Sequence, residues 1–530
     1  MSYFLGVAIV ESIVYSLRTS LLKHGFLRHR GGTYAALTVT VLFLCGYGAV
    51  AGNESAGTAV YVCLLFALCS IPLLWMERIN DRYALLGAFM GTYFLLFGAL
   101  SLKVLIAGSD TETVPILREG FMSAARVAVL LGAAFLVVGY RSGAALVPRP
   151  AQSVIPSDWS NTSVLITGSL CWILGSACMA YYSLVVVADN TNQATAKGLA
   201  AMGPVLTFAI MLGQMMQPLG LVVLAYGYAK NRTPLWLILV LMVIASQLIL
   251  GFVIDTKGVA LLGILLVAIS QALWDNKLPK GWVAGVLIFA IVLFPVFQAA
   301  RIERGDRGLD RAHAMERLAD ILQHAWEAQD KDPEHGPKTQ SFLERSSSED
   351  TLEPIFEQVG TDLPFLHGGT LVAIPYAFVP RLLIPDKADV PVGQLYHRVF
   401  QHGTADDFTY ISFSQLGELY WNFGWPGVLG GMFLMGLLLG FVGAKSSLAE
   451  VHSLTRLLVL LITIKTVCLG FGGGIAVSYV VWMRAMAAIG LLHLFFARKA
   501  SVAGPLPVAV AAKSRKPGNF LAHPATKVGV

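Results

Sequence analysis

The side chains best able to do chemistry in this chain are cations set in turns. Residues 301 to 425 hold Arg301, Arg304, Arg345, Arg381, Lys387 and Arg398, with six of the chain's eleven histidines. Four short blocks stand out there: F-L-E-R-S-S at 342 to 347, L-H-G-G-T at 366 to 370, V-P-R-L-L-I-P-D-K at 379 to 387 and G-E-L-Y-W-N-F-G-W-P-G at 417 to 427. Arg381 follows Pro380 in an apolar stretch with few other charges, and a lone charge in such a setting is functional or paired. Arg345 has Glu344, Glu349 and Asp350 as neighbours, so a salt-bridged helix face competes with a functional role. Glu418 stands eight residues ahead of Pro426; it caps the helix that Pro426 opens, pairs with an Arg, or moves a proton. Asn422, Phe423 and Gly424 read either as part of a site or as a turn between Trp421 and Trp425 of an interfacial belt. Asp406 and Asp407 lie near His397 and His402, but not at a spacing diagnostic of metal ligands. No metal is expected, and no Gly-rich loop in a convincing context calls for a nucleotide or another cofactor.

The elements that must position these residues follow from composition. The 530 residues are 56% hydrophobic and 13% charged, where an average soluble domain is about 45–50% apolar and about 25% charged. That excludes an ordinary soluble enzyme. Apolar runs fall near 3–17, 34–52, 57–76, 83–106, 121–140, 162–187, 202–228, 233–254, 258–275, 281–300, 426–445, 455–471 and 474–497, at about 20 residues per crossing. The first is short and carries Glu11, so it is a tilted span or an interfacial helix. The expectation is an all-α polytopic membrane protein of about 12–13 transmembrane helices with one large outward loop domain containing amphipathic helices. Its parts are an N-terminal bundle over 1–300, the loop domain over 301–425, C-terminal helices over 426–497 and a basic, disordered tail over 498–530. The six cysteines all fall in apolar runs and read as small buried hydrophobes.

Charge sets the sides. Alternate connections carry Arg18, Lys23, Arg28 and Arg30, then Arg78 and Arg82, Arg141 and Arg149, Lys230 and Arg232, Lys277 and Lys280, and Lys445 and Arg456, with Lys513, Arg515 and Lys516 in the tail. By the positive-inside rule these are cytoplasmic, which places 301–425 outward. That segment has 11 Lys and Arg against 20 Asp and Glu, a net −9 within the overall +6. The mildly basic balance therefore says nothing for nucleic acid, and none is expected as a partner. Within the segment, Leu318, Ile321, Leu322 and Trp326 mark an amphipathic helix over 309–329. Asp330 to Gln340 is a linker, and a second helical piece follows with Phe342, Leu343, Leu352, Ile355, Phe356 and Val359 apolar, interrupted around Ser346 to Ser348 and bounded by Gly360. Beyond it Pro and Gly build a shaped loop. Within the spans Lys103, Arg126, Lys465 and Arg484 should face the bundle interior or snorkel to an interface, with Arg484 the strongest intramembrane candidate.

With the span pattern, the four blocks resemble the bacterial oligosaccharide repeat-unit polymerases, the O-antigen polymerase (Wzy) family. The matching positions are Arg345, Gly368 or Gly369, Pro380-Arg381 with Pro385 and Lys387, and Gly417, Glu418, Tyr420, Asn422 and Gly424. Lys257-Gly258 stands where the family usually has Arg-Gly; a Lys keeps the charge but loses the bidentate fork. The resemblance implies a membrane glycosyltransferase that joins undecaprenyl diphosphate-linked oligosaccharides at the outer face of a bacterial cytoplasmic membrane. It implies cations at the lipid diphosphate, with Arg345 and Arg381 catalytic and Arg301, Arg304, Lys257, Lys387, Arg398, Tyr420, Asn422 and Arg484 binding substrate. Glu418 is the first choice, and His367 the second, to take the acceptor hydroxyl proton. The implied partners are the lipid bilayer, a repeat-unit flippase and a chain-length regulator. A lipid-carrier-dependent glycan ligase is the near alternative and a polysaccharide or lipid transporter the distant one, although no repeated halves are evident.

Overall fold

A computed structural model describes residues 41, 45, 56–76, 78–107, 123–148, 157–181, 204–253, 257–289, 347–372, 374–375, 392–403, 411–449, 452–496 and 498–499. The chain is an all-α polytopic membrane protein. Its described helices are α1 (Ala56–Trp75), α2 (Ala84–Phe97), α3 (Ala99–Ala107), α4 (Ala124–Ala145), α5 (Asn161–Tyr181), α6 (Pro204–Asn231), α7 (Pro234–Val253), α8 (Lys257–Asp275), α9 (Lys280–Ile288), α10 (Glu349–Gln358), α11 (Val392–Phe400), α12 (Ser414–Lys445), α13 (Leu454–Thr463) and α14 (Ile475–Phe496). Among the described residues six helices are long and apolar enough to cross a membrane, or seven if α2 and α3, bent by 52° at Gly98, count as one span. The expected 83–106 span is that bent pair. The expected first span, the second apart from Val41 and Cys45, the helix over 309–329 and most of the tail lie outside the described residues, as do Arg301, Arg304, Arg345, Arg381 and Lys387.

The best-packed pair is α4 with α12, and its sequence shows why. A Cβ on Gly139 or Gly143 of α4 would run into the main-chain carbonyls of Phe433 and Leu437. One on Gly436 or Gly440 of α12 would run into those of Leu136 and Tyr140. Small residues on both faces let two backbones touch, which in lipid replaces the hydrophobic drive that water would supply. Gly175 and Gly220 do the same for α5 and α6.

As expected, Pro426 opens a helical segment. Within α12 two such segments meet at a break at Gly424, where φ is 64° and ψ −150°, so the boundary expected at 425 falls at that break. Glycine alone adopts that backbone cheaply, and the break restarts the helix at a residue that tolerates a first turn. The span after it is also irregular: α13 passes into a π-helical stretch at Ile464–Cys468 and a 3-10 turn at Leu469–Gly472 before α14 begins. Ser157–Asp158 and Arg498–Lys499 pair as a two-residue antiparallel ladder, so the expected tail starts with ordered backbone.

One end of the bundle is tied by loop carbonyls and side chains. The Asn80 carbonyl accepts from the amides of Leu448 and Ala449, the Ile79 amide donates to the Asn276 side chain, and Arg232 pairs with Asp275. The other end carries the L-H-G-G-T and G-E-L-Y-W-N-F-G-W-P-G blocks.

Candidate functional site

The amphipathic helix read from Leu352, Ile355 and Phe356 is α10, with those three residues buried and Gly360 stopping it at φ 91°. It lies on α12 because Gly417 has no side chain: a Cβ there would come within 2.9 Å of Leu352 and Ile355. Phe356 then stacks on Tyr420 at 3.8 Å between ring centroids. Tyr420 is therefore a packing surface for α10.

The polar face of α10 is seated on α3 and α4. The Ser101 hydroxyl bridges both carboxylate oxygens of Glu349 at 3.0 and 2.8 Å, and Ser123, which caps α4, reaches Glu353 at 3.2 Å. The Ser348 amide donates to the Leu96 carbonyl at the α2–α3 bend. Arg126, 8% exposed, turns inward as expected, donating to Thr58 and lying over the Tyr61 ring at 5.1 Å. Burial pushes the Glu349 carboxyl up to about 8, against the opposing pull of Arg126 and the Ser101 hydrogen bond. Glu353 is raised for the same reason. This seat was not anticipated from sequence, although Glu349 and Glu353 stand one turn apart along the border of the apolar stripe, which is the signal that could have shown it.

The second and fourth blocks meet at the kink. In a regular helix the Asn422 carbonyl would accept from residue 426, but Pro426 has no N–H, and the Gly424 break likewise frees the Trp421 carbonyl. The amides of Leu366 and His367 take them, both at 3.0 Å. Gly368, at φ 87°, packs its backbone against Phe423, and Phe365 packs against Gly424. His367 is held at φ 47°, a region L-residues enter at a cost of roughly 1–2 kcal/mol, and its residue is exposed.

Below this turn the polar groups are enclosed. Glu418 is 0% exposed and its Oε2 accepts from the Ile475 amide at 2.6 Å, so it caps α14 and not the half-helix after Pro426. Asn422, also 0% exposed, donates to Thr370 Oγ1 and to the Glu418 carbonyl, both at 2.8 Å. Among the described residues, Glu418 has no cationic side chain within ion-pair distance. α11 closes one flank: Tyr396 donates to the Thr351 carbonyl and stacks on Phe413, while Phe400 meets Trp421 edge-on. Arg398 is exposed on α11.

The structure thus brings together His367, Glu418, Tyr420 and Asn422, with Arg398 on the helix beside them. Arg484 lies along α14, the helix that Glu418 caps, and Lys257 begins α8. Thr370 and the Ile475 amide are site members missed by sequence reading. Thr370 ends the L-H-G-G-T block; nothing local marks Ile475.

Comparisons with protein-family models, with curated proteins and with solved structures find no match. The geometry carries the functional argument alone.

Proposed function

We propose that this chain is a polysaccharide polymerase that joins undecaprenyl diphosphate-linked repeat units at the outer face of a bacterial cytoplasmic membrane. The observation that supports it is the docking of the L-H-G-G-T turn on the two carbonyls freed by Gly424 and Pro426. It sets an exposed histidine, on costly backbone, over a buried polar core. Costly backbone kept in place by surrounding bonds is a feature of functional sites.

In this reading His367 takes the proton of the acceptor hydroxyl as that oxygen bonds to the anomeric carbon of the donor chain. The bond from that carbon to the lipid diphosphate breaks, and the diphosphate leaves with the electron pair. Arg345, Arg381 and Lys387, with Arg398, supply the charge that the leaving group needs. Glu418 is a positioning residue here: enclosed at 0% exposure, it holds the start of α14 against the turn. A flippase delivering units and a chain-length regulator complete the proposed setting.

The test is reconstitution in liposomes with undecaprenyl diphosphate-linked repeat units, reading glycan length on a gel. A ladder is expected from the parent and none from His367→Gly or Arg381→Ala. Well-folded parent protein that gives no ladder refutes the polymerase, and transfer of a preformed glycan to a different acceptor would identify a ligase.

A further inference from the structure

The core beneath the His367 turn contains an excess of buried oxygen. Among the described residues Gln415 Oε1, Glu418 Oε1 and Asn422 Oδ1 have no hydrogen-bond partner, and all three residues are 0% exposed. Their spacing of three and four residues puts them on one face of the same α12 segment, with Glu418 in the middle. The amide orientations are fixed by their partners. Asn422 Nδ2 faces the Glu418 main-chain carbonyl and Gln415 Nε2 faces the Gly470 carbonyl at 3.3 Å, and a carbonyl can only accept. The orphan atoms are therefore acceptors, and rotating either amide would set oxygen against oxygen.

Three enclosed acceptors call for a donor or a positive charge. A proton on Glu418 bridges two of them at most, and a water offers two hydrogens. A small cation serves several oxygens at once. The donor set also fixes its charge. One carboxylate flanked by neutral amide oxygens, with the Thr370 hydroxyl accepting from Asn422 and donating to the Glu418 carboxylate, balances a single positive charge, whereas divalent calcium sites gather six to eight oxygens and usually several carboxylates. The surroundings suit such a site: the segment facing Glu418, from Gly470 to Gly474, is non-α-helical backbone between α13 and α14, and a Cβ on Gly474 would sit 3.4 Å from Glu418 Oε2.

We propose that Glu418, Asn422 and Gln415 form a buried binding site for a small monovalent cation of the sodium class, which locks α12 to the start of α14. The site stands apart from the polymerase reading, since it needs no glycan and no lipid diphosphate.

The experiment uses the full chain in phosphatidylethanolamine and phosphatidylglycerol nanodiscs. Radiolabelled sodium binding is measured with unlabelled sodium as competitor, and the thermal midpoint is followed by tryptophan fluorescence in sodium chloride and in choline chloride at equal ionic strength. Saturable binding at one ion per chain is expected, with a higher midpoint in sodium, and both effects vanish in Glu418→Gln. Gln415→Met keeps the cap on α14 and should weaken sodium by at least roughly tenfold, so it decides the matter if Glu418→Gln fails to fold. The proposal is overturned by equal midpoints in sodium and choline with no saturable binding. Undiminished sodium binding in both variants also overturns it, as does stabilisation by calcium or magnesium in place of sodium.

Discussion

Replacing Gly440 by alanine should loosen the membrane bundle although it adds one methyl group. The new Cβ overlaps the Tyr140 carbonyl and crowds the Ala144 amide. All the obstructing atoms are main chain, so no side chain can swing away. The helices must part by roughly 1 Å to restore ordinary contact, and a gap of about 0.5–1 Å forfeits roughly a quarter to a half of each atom pair's attraction. Overpacking of this kind costs typically 1–3 kcal/mol, and a backbone-limited case belongs near 3. Alanine's better helix propensity returns about 1 kcal/mol, leaving a net loss of about 2 kcal/mol. Gly430 is the internal control, because it lies on the same helix with nothing within 4 Å of its Cβ position. Gly430→Ala should be neutral or stabilise by up to about 1 kcal/mol. Denaturant unfolding in mixed micelles, followed by tryptophan fluorescence, compares the two. A Gly440→Ala variant within about 0.5 kcal/mol of the parent, the range of an ordinary surface change, would refute the close approach of α4 and α12.

His367→Gly should remove polymerisation while leaving the unfolding midpoint at or above the parent's, because glycine accepts φ 47° without the penalty; a lower midpoint would make the histidine a packing residue. Charge removal at Arg345 or Arg381 should abolish the glycan ladder at unchanged protein abundance. The Glu349 carboxyl, raised from 4.5 to about 8 by burial, binds its proton more tightly when α10 is seated than when it is free. Seating is therefore strongest below about pH 4.5 and weakens as pH rises towards about 8. Protease protection of α10 across that window should fall with pH in the parent and fall less steeply in Glu349→Gln, where Asp350 and Glu353 remain raised by burial. Ser101→Ala removes the hydroxyl that bridges the same carboxylate and should lower the unfolding free energy by about 1–3 kcal/mol, read from the denaturant midpoint.

The spans were legible because apolar run length is a property of single segments. The expected 57–76 and 474–497 correspond to α1 and α14, each long and apolar enough to cross a membrane, with ends displaced by a single residue. α10 was legible from three apolar positions and a stop glycine. Two kinds of feature were not. Pro426 was read as the start of a span, but the break at Gly424 that joins this segment to the helix before it shows only as a positive φ. Partners distant in sequence were the second: Glu418 is capped to Ile475 across 57 positions, and Glu349 finds Ser101 across 248. A single sequence carries the chemistry of each residue but no record of such pairings. The acid neighbours of Arg345 suggested a local salt-bridged face, yet Glu349 turns to Ser101 and the field of Arg126.

The attachments of the motif-bearing segment share a character with a consequence for variation. Ser348 donates its amide to the Leu96 carbonyl, Leu366 to that of Trp421 and His367 to that of Asn422. Each joins main chain to main chain at a place where a helix bends or breaks. Such bonds are indifferent to the side chains that flank them. The exposed residues of the turn can be exchanged one after another while its anchorage stays intact, so the surface offered to a ligand is free to drift faster than the frame that carries it. A protein built this way can acquire new specificities without first paying in stability, and its sequence can diverge far while the architecture persists.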